Sequence, residues 1–327
     1  MKNLVKNIFL SLKGDAILRS INRTPRILFW HGVDYITDQK VEAESFDVQS
    51  FKKQIKYLDK YYEIISIEEF YYRYKHNKFT NKEVVLTFDD GYLNNLNVVC
   101  PILNNLNLPF TVFVSTEHIE TGELFPTSIA RLIIYGADLD IINVPYLKIH
   151  NEDISDTENR TIIYNKVINS LKSQPLEKVR KIISELKANL SDQDYTRLVE
   201  KFKSVKPMNW VEVKKLHNLG ATIGSHCKYH ICCHDNQDEK EVKAQIIESK
   251  NIIEEKLEAE CKYFAYPNGN YTTASNDFIK TAGYKMGFST EKNLKIENVK
   301  DTSIIPRIGV PLNINTFKIY INLYPKK

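Results

Sequence analysis

Two adjacent carboxylates close the run Leu86-Thr87-Phe88-Asp89-Asp90-Gly91, and the chemistry open to such a pair is restricted. A strand that stays apolar to its last residue delivers both side chains to the edge of a sheet. Neighbouring like charges resist joint ionisation unless a cation or a proton separates their roles. One carboxylate on a metal and the other free to act as a base satisfies that constraint. An aspartyl-phosphate enzyme would space its acids two apart, and glycosidase carboxylates lie ~5–9.5 Å apart across the scissile bond. The plain alternative is a helix N-cap beside a turn aspartate.

A second cluster, Gly224-Ser225-His226-Cys227-Lys228-Tyr229-His230, follows another short apolar run. Histidines at i and i+4 share one face of a helical turn and can grip one metal ion. No glutamate stands at 227, so a base must come from elsewhere, and Asp89 or Asp90 is available. Two imidazoles and one carboxylate leave coordination positions open for water and substrate, as a catalytic site requires. Cys227, Cys232, Cys233 and His234 form a competing structural zinc set, weakened because Cys232 and Cys233 lack the usual gap between ligands. The third cluster is Tyr266-Pro267-Asn268-Gly269, a Pro-X-Gly turn that aims backbone N–H groups outward and suits an oxyanion contact. His31 and Arg307 each follow a short apolar run; alone, such a histidine is usually structural and such an arginine a surface charge.

The elements that must position these residues alternate. Strands are predicted at 27–30, 84–88, 110–114, 221–223, 263–265, 286–288 and 304–305. Helices are predicted at 48–61, 93–106, 211–219, 239–258 and 275–282. Such alternation argues for parallel strands joined by crossovers, hence an α/β sheet or barrel, with chemistry beyond the carboxyl ends of the strands. Residues 117–206 break the pattern: they read as a highly charged helical insertion, with helices at 161–173, 176–190 and 193–202, either covering the site or decorating the surface.

Together the clusters resemble the polysaccharide deacetylase family, the NodB homology domain of carbohydrate esterase family 4. Thr87-Phe88-Asp89-Asp90-Gly91 matches its first motif and His226–His230 its second, and the likeness covers about 27–116 and 207–311. The resemblance implies a distorted (β/α) barrel spanning 27–116 and 207–327, with the helical insertion between. It implies a divalent metal on Asp90, His226 and His230, zinc first and cobalt, nickel or iron as substitutes, with Asp89 as the base. A backbone N–H near Asn268 would stabilise the oxyanion, with Tyr266, Pro267 and Gly269 as substrate contacts. Three departures stand out. The usual Arg-Pro-Pro-Tyr is Ala265-Tyr266-Pro267-Asn268 here, Cys227 replaces Ser or Thr, and no C-terminal Leu-X-His motif appears. These point to a rearranged branch similar to the poly-N-acetylglucosamine de-N-acetylases. In that branch Trp30-His31-Gly32-Val33 stands where the general acid lies, so His31 is the expected acid. Arg307 is the expected substitute for the missing arginine, tethering Asp89.

Composition bounds the setting. A chain of 327 residues can bury a substantial core, and a formal charge of +4 is too small for a dedicated nucleic-acid binder. Residues 1–26 carry six basic side chains against Asp15, leaving the rest nearly neutral. In this arm Leu4, Val5, Ile8, Leu12 and Ala16 share a helix face, opposite Lys2, Lys6 and Lys13. Packing on the domain and lying on an anionic membrane through residues 1–22 are both open. Five cysteines form no disulfide framework, and no secretory signal pattern is present, so the expected compartment is cytoplasmic, with or without membrane association. The expected function is removal of the N-acetyl group from an amino sugar, carried on a lipid or nucleotide in surface-glycan biosynthesis. Carbohydrate O-deacetylation and non-catalytic glycan binding are the alternatives.

Overall fold

Glu83–Phe88 (β5) is buried at all six positions, the signature of a strand covered on both faces. The computed structural model describes residues 14–36, 38–291, 296 and 299–323. The apolar and lysine faces proposed for residues 2–13 lie outside the described residues. Eight strands follow one another in hydrogen-bonded order, each parallel to the next. The order is Ile305–Pro306 (β12), Met286–Ser289 (β11), Tyr263–Ala265 (β10), Thr222–Ser225 (β9), Thr111–Val114 (β6), β5, Arg26–Trp30 (β1) and Ile308–Gly309 (β13). Glu63–Ile64 (β4) branches from β5, and Gly32–Asp34 (β2) and Ser45–Asp47 (β3) form a separate parallel pair. The two ends of the main order flank a single residue, Arg307. One extended segment therefore pairs with β11 on one side and β1 on the other, and the sheet closes on itself. The expected barrel is present.

Side chains alternate across the barrel wall with the strand's period of two. Leu28, Leu86, Val112 and Ile223 pack outward with Phe51, Ile55, Leu216 and Ile246 of the surrounding helices in one core cluster. Ile27, Val85, Phe113 and Phe288 belong to a second cluster, which fills the interior. Gly224 is required by that filling, because a Cβ there would stand 2.5 Å from Phe113 Cδ1. The helices begin where sequence provides caps: Asp47 accepts from the Gln49 and Ser50 N–H groups ahead of Val48–Tyr61, and Asn209 forms a capping box with Glu212 ahead of Trp210–Asn218.

The 117–206 region has its own apolar core, built from Ile129, Ile133, Ile142, Val167, Ile182 and Leu186 among others. Its helices Thr157–Ser173, Leu176–Lys187 and Asp192–Lys201 lie close to the expected bounds. It is not wholly helical. Ile141–Val144 (β7) and Ile149–Asp153 (β8) pair as an antiparallel hairpin with a register shift, each contributing one buried edge to that core. Three apolar residues in β7 and one in β8 are too few to separate such a hairpin from helical spacing. The 93–106 helix is also shorter and less regular than expected: a π-helical turn, Asn95–Val99, runs into Cys100–Asn104. No helix among the described residues is long and apolar enough to cross a membrane.

Gly224→Ala should lower stability by about 1–3 kcal/mol, the usual cost of overpacking a filled interior. Urea unfolding at neutral pH measures it; an unchanged midpoint would show that Phe113 does not constrain this position.

Candidate active site

Four site residues occupy one layer because each is the first residue past its strand. Their N–H groups continue the ladder: Asp89 donates to Trp30 O, His226 to Val114 O, Tyr266 to Phe288 O and Arg307 to Ser289 O, at 2.9–3.0 Å. The barrel thus sets their spacing by backbone hydrogen bonds before any side chain meets another.

Arg307 enters from the seam between β12 and β13. Its guanidinium donates to both oxygens of Asp89, at 2.7 and 2.8 Å, and to Thr87 Oγ1 at 3.2 Å. Thr87 Oγ1 in turn donates to Leu28 O at 2.9 Å. The rings of Phe29 and Phe113 flank the guanidinium, 4.7 and 5.2 Å from its carbon. Both partners of the pair are almost wholly buried. Burial pushes the Asp89 carboxyl up, but Arg307 first and then His226 outweigh it and hold the group below the usual carboxylate range.

Asp90, the next residue, turns the opposite way. Its backbone is left-handed, with φ 74°, and Gly91 follows at φ 80°. Asp90 Oδ1 stands 3.2 Å from His230 Nε2 and 3.6 Å from His226 Nε2. It is buried, and it finds no well-directed hydrogen-bond donor. His226 Nδ1 lies 2.7 Å from Ala265 O, which can only accept, so the ring hydrogen sits on Nδ1 and the Nε2 lone pair faces Asp90. Burial pushes the His226 imidazole down to about 4, which keeps it neutral. The donor atoms of Asp90, His226 and His230 lie within 4.8 Å of one another. Two donors bound 2.0–2.2 Å from a tetrahedral ion stand roughly 3.3–3.6 Å apart, so the buried, orphaned oxygen and the two lone pairs fit a divalent metal of zinc type. Asp89 Oδ2, 4.0 Å from His226 Nε2, stays beside that set.

His31 lies beyond the end of β1, about a quarter exposed, with Nδ1 3.5 Å from Glu44 Oε2. Burial would lower its pKa, yet Glu44, Asp90 and Asp89 together raise it above the usual histidine value. Glu44 is itself held by Arg131, whose Nη1 donates to Oε1 at 2.8 Å. Neither Glu44 nor Arg131 carries a motif, and Arg131 lies 87 residues away in the inserted region, so only the folded chain joins them to His31.

These residues line a cavity of about 380 Å³ that also touches Tyr266, Asn268 and Gly269. Asn268 is left-handed at φ 55°, inside the turn Pro267–Gly269. The Gly269 N–H is occupied by Tyr266 O at 2.8 Å. The Tyr266 side chain is fully buried, and its hydroxyl donates to Asn276 Oδ1, so it reaches the cavity only as part of the wall. Pro267 is buried behind the turn and is not among the lining residues. The cysteines form no zinc set among the described residues: Cys227 and Cys233 approach to 4.0 Å between sulfurs, all five thiols are free, and burial raises the Cys227 thiol well above its usual value.

A closed parallel barrel with aspartates and histidines gathered at its carboxyl-end rim is the architecture of a barrel hydrolase. The chain belongs to the polysaccharide deacetylase family, whose sequence profile matches residues 76–287, more than half of its length. No curated protein sequence matches it. Solved structures share the fold at low identity. A Streptococcus pyogenes deacetylase, PplD, in complex with acetate is 16% identical, with a TM-score of 0.59 over 91% of this chain and 97% of that one. IcaB from Ammonifex degensii is 14% identical, with a TM-score of 0.59 over 93% and 98%. A de-N-acetylase from Aggregatibacter actinomycetemcomitans is 14% identical, with a TM-score of 0.54 over 91% and 99%.

Removing one partner of a buried ion pair costs about 3–5 kcal/mol. Arg307→Met should therefore destabilise the chelator-treated protein strongly at pH 7. In the native chain the depressed Asp89 pKa contributes stability that is present above the unfolded value and lost as pH falls through the folded one. In the variant the largest lowering influence on Asp89 is gone while burial still raises it, so protonation relieves part of the strain and the deficit should shrink from pH 7 to pH 4.5. Urea unfolding at both values checks the sign; a deficit that grows on acidification would contradict it.

Proposed function

We propose that the chain is a metal-dependent N-deacetylase acting on an N-acetylated amino sugar, carried on a lipid or a nucleotide as an intermediate of surface-glycan biosynthesis. The observation that carries this reading is the fixed Asp89 carboxylate, held by Arg307 in two hydrogen bonds directly beside the convergent Asp90, His226 and His230 donors. Glycan binding alone has no use for an ionised, oriented carboxylate at that place. Asp90, His226 and His230 would hold a divalent metal, zinc in the first instance, and such an ion when bound would supply Lewis-acid polarisation and a lowered water pKa.

The remaining steps belong to the chain's own residues. Asp89 takes the proton of the attacking water; its bidentate contact with Arg307 keeps the carboxylate ionised and restricts its orientation. The Asn268 N–H, on the left-handed turn at the cavity edge, donates to the oxyanion that develops on the acetyl group. His31 protonates the departing amine. Glu44 faces Nδ1, so Nε2 is the atom free to deliver the proton, and the nearby carboxylates favour the charged ring needed before delivery. The products are acetate and a free amino sugar.

The same machinery could cleave an ester, which needs less protonation of its leaving group. The basic arm gives the lipid-linked reading its setting: Lys2, Lys6, Lys13 and Arg23, with Ile17 and Ile21 exposed on the helix Gly14–Ile21, suit an anionic membrane surface, while Arg19 and Arg26 are engaged within the fold.

Asp89→Asn should retain one equivalent of bound zinc, measured by atomic emission, and lose at least ~100-fold in acetate release, the ordinary share of a general base. Full activity in that variant would remove Asp89 from the role. Paired N-acetyl and O-acetyl derivatives of one hexosamine separate amide from ester cleavage; turnover of the ester alone would overturn the N-deacetylase assignment.

A further inference from the structure

The cavity has two unlike halves. Around Asp89, Asp90, His226 and Arg307 it is polar and charged. Elsewhere its lining carries Leu171, Leu176 and Val179 of the inserted region and Ile231 of the loop after the second histidine, with Thr127 and Lys172 beside them and Gln237, whose amide is already engaged with the turn at 174–176. Each of the first four is less than a tenth exposed, and what remains open borders the cavity.

This wall is fixed rather than a loose flap. The Leu176 N–H donates to Gln237 Oε1 at 3.1 Å, and Asn236 Nδ2 donates to Ser173 O at 3.1 Å. Gln237 Nε2 also donates to Gln174 O at 3.3 Å, and the Arg180 guanidinium lies 4.8 Å from the centre of the Tyr229 ring. The turn between the two insertion helices is thereby tied to the loop that follows His230.

A hexosamine ring presents hydroxyls on most of its edge. Placed against four aliphatic side chains, those hydroxyls would lose water and gain no partner, which is unfavourable. A hydrocarbon segment in the same place removes apolar surface from water on both sides. An internal residue of a long hydrophilic glycan needs polar surroundings on both sides, and four aliphatic side chains on this lining offer its hydroxyls no partner. The volume, about 380 Å³, is also at the small end of the ordinary range for small-molecule pockets, roughly 300–1,000 Å³.

We infer that the cavity takes a single or chain-end N-acetylated amino sugar bearing an apolar aglycone, with the aglycone lying along Leu171, Leu176, Val179 and Ile231. The inference rests on the deacetylase reading of the same site and specifies its substrate class.

The test compares three substrates with the full-length zinc-loaded protein: methyl N-acetyl-β-D-glucosaminide, its octyl counterpart below the micellar concentration, and an N-acetylglucosamine pentasaccharide. Acetate release is the readout. The octyl glycoside should exceed both others in kcat/KM by about tenfold or more, carried by KM, as expected when a few methylenes enter an apolar pocket. Equal or better turnover of the pentasaccharide would overturn this inference and leave the deacetylase reading standing. No acetate from any of the three would overturn the deacetylase reading itself, and this inference with it. Val179→Thr keeps the side chain's shape and adds a hydroxyl to the wall, so it should narrow the octyl-to-methyl ratio by about threefold. An unchanged ratio in a variant that melts like the parent would also count against the wall.

Discussion

The Arg307–Asp89 ion pair joins barrel closure to active-site geometry. Arg307 is the one residue between the two short strands that complete the sheet, so its backbone closes the ring while its side chain crosses the mouth. A buried pair of this kind is weak evidence for stability in itself, since desolvation of both charges opposes their attraction. Its value here is directional. Two parallel hydrogen bonds fix the plane of the carboxylate, Thr87 accepts from the guanidinium, and Phe29 and Phe113 flank it. An arginine at the seam can therefore do the work of one on another strand, provided it reaches the same carboxylate.

Local strain is concentrated at the same rim. Asp90, Cys227 and His230 all have positive φ, a conformation that costs non-glycine residues of order 1–3 kcal/mol each and persists only where surroundings over-determine it. Two of the three are proposed metal ligands and the third lies between the two histidines. The left-handed turn at Asp90 is what separates the neighbouring carboxylates: Asp89 continues the strand's inward direction toward Arg307, and Asp90 swings to the histidines. Gly91 follows with its own positive φ, and a Cβ there would stand 2.9 Å from Val114 Cγ1, so the reversal has no room for a side chain. The sequence Asp-Asp-Gly is thus a conformational solution to the problem of placing two like charges in one site without pairing them.

Much of this geometry is legible in the order of the residues alone. The apolar runs ending in Asp89, His226 and Tyr266 are buried parallel strands, and runs of that kind are conspicuous because both faces are covered. The i, i+4 histidine pair signals a shared ligand, although the chain there is a loop with two left-handed residues rather than a helical turn, so the spacing points correctly for a different geometric reason. Arg307 is legible only by resemblance, through what the usual motif lacks. Glu44 and Arg131 are invisible in the sequence. They belong to no periodic pattern, and their significance depends on a contact across 87 residues. The hairpin at 141–153 is hidden because its first strand breaks alternation with Ile141-Ile142 and its second has one apolar residue, Ile149, so no period of two marks it.

That long-range contact also bears on why the inserted region is part of the enzyme rather than an ornament. Its core is separate from the barrel's, so it could in principle be tolerated as a surface decoration. Two features argue otherwise. Arg131, almost wholly buried, anchors Glu44 beside His31, so the electrostatic setting of the proposed acid is supplied from the insertion. Leu171, Leu176 and Val179 then form part of the cavity on the side away from the barrel rim. A segment that merely covered a site would contribute bulk. This one contributes the Arg131 guanidinium against Glu44 and, on the cavity lining, the Leu171, Leu176 and Val179 side chains. In the proposed reading the barrel supplies the hydrolytic groups, and the insertion is where selectivity among sugars would be set.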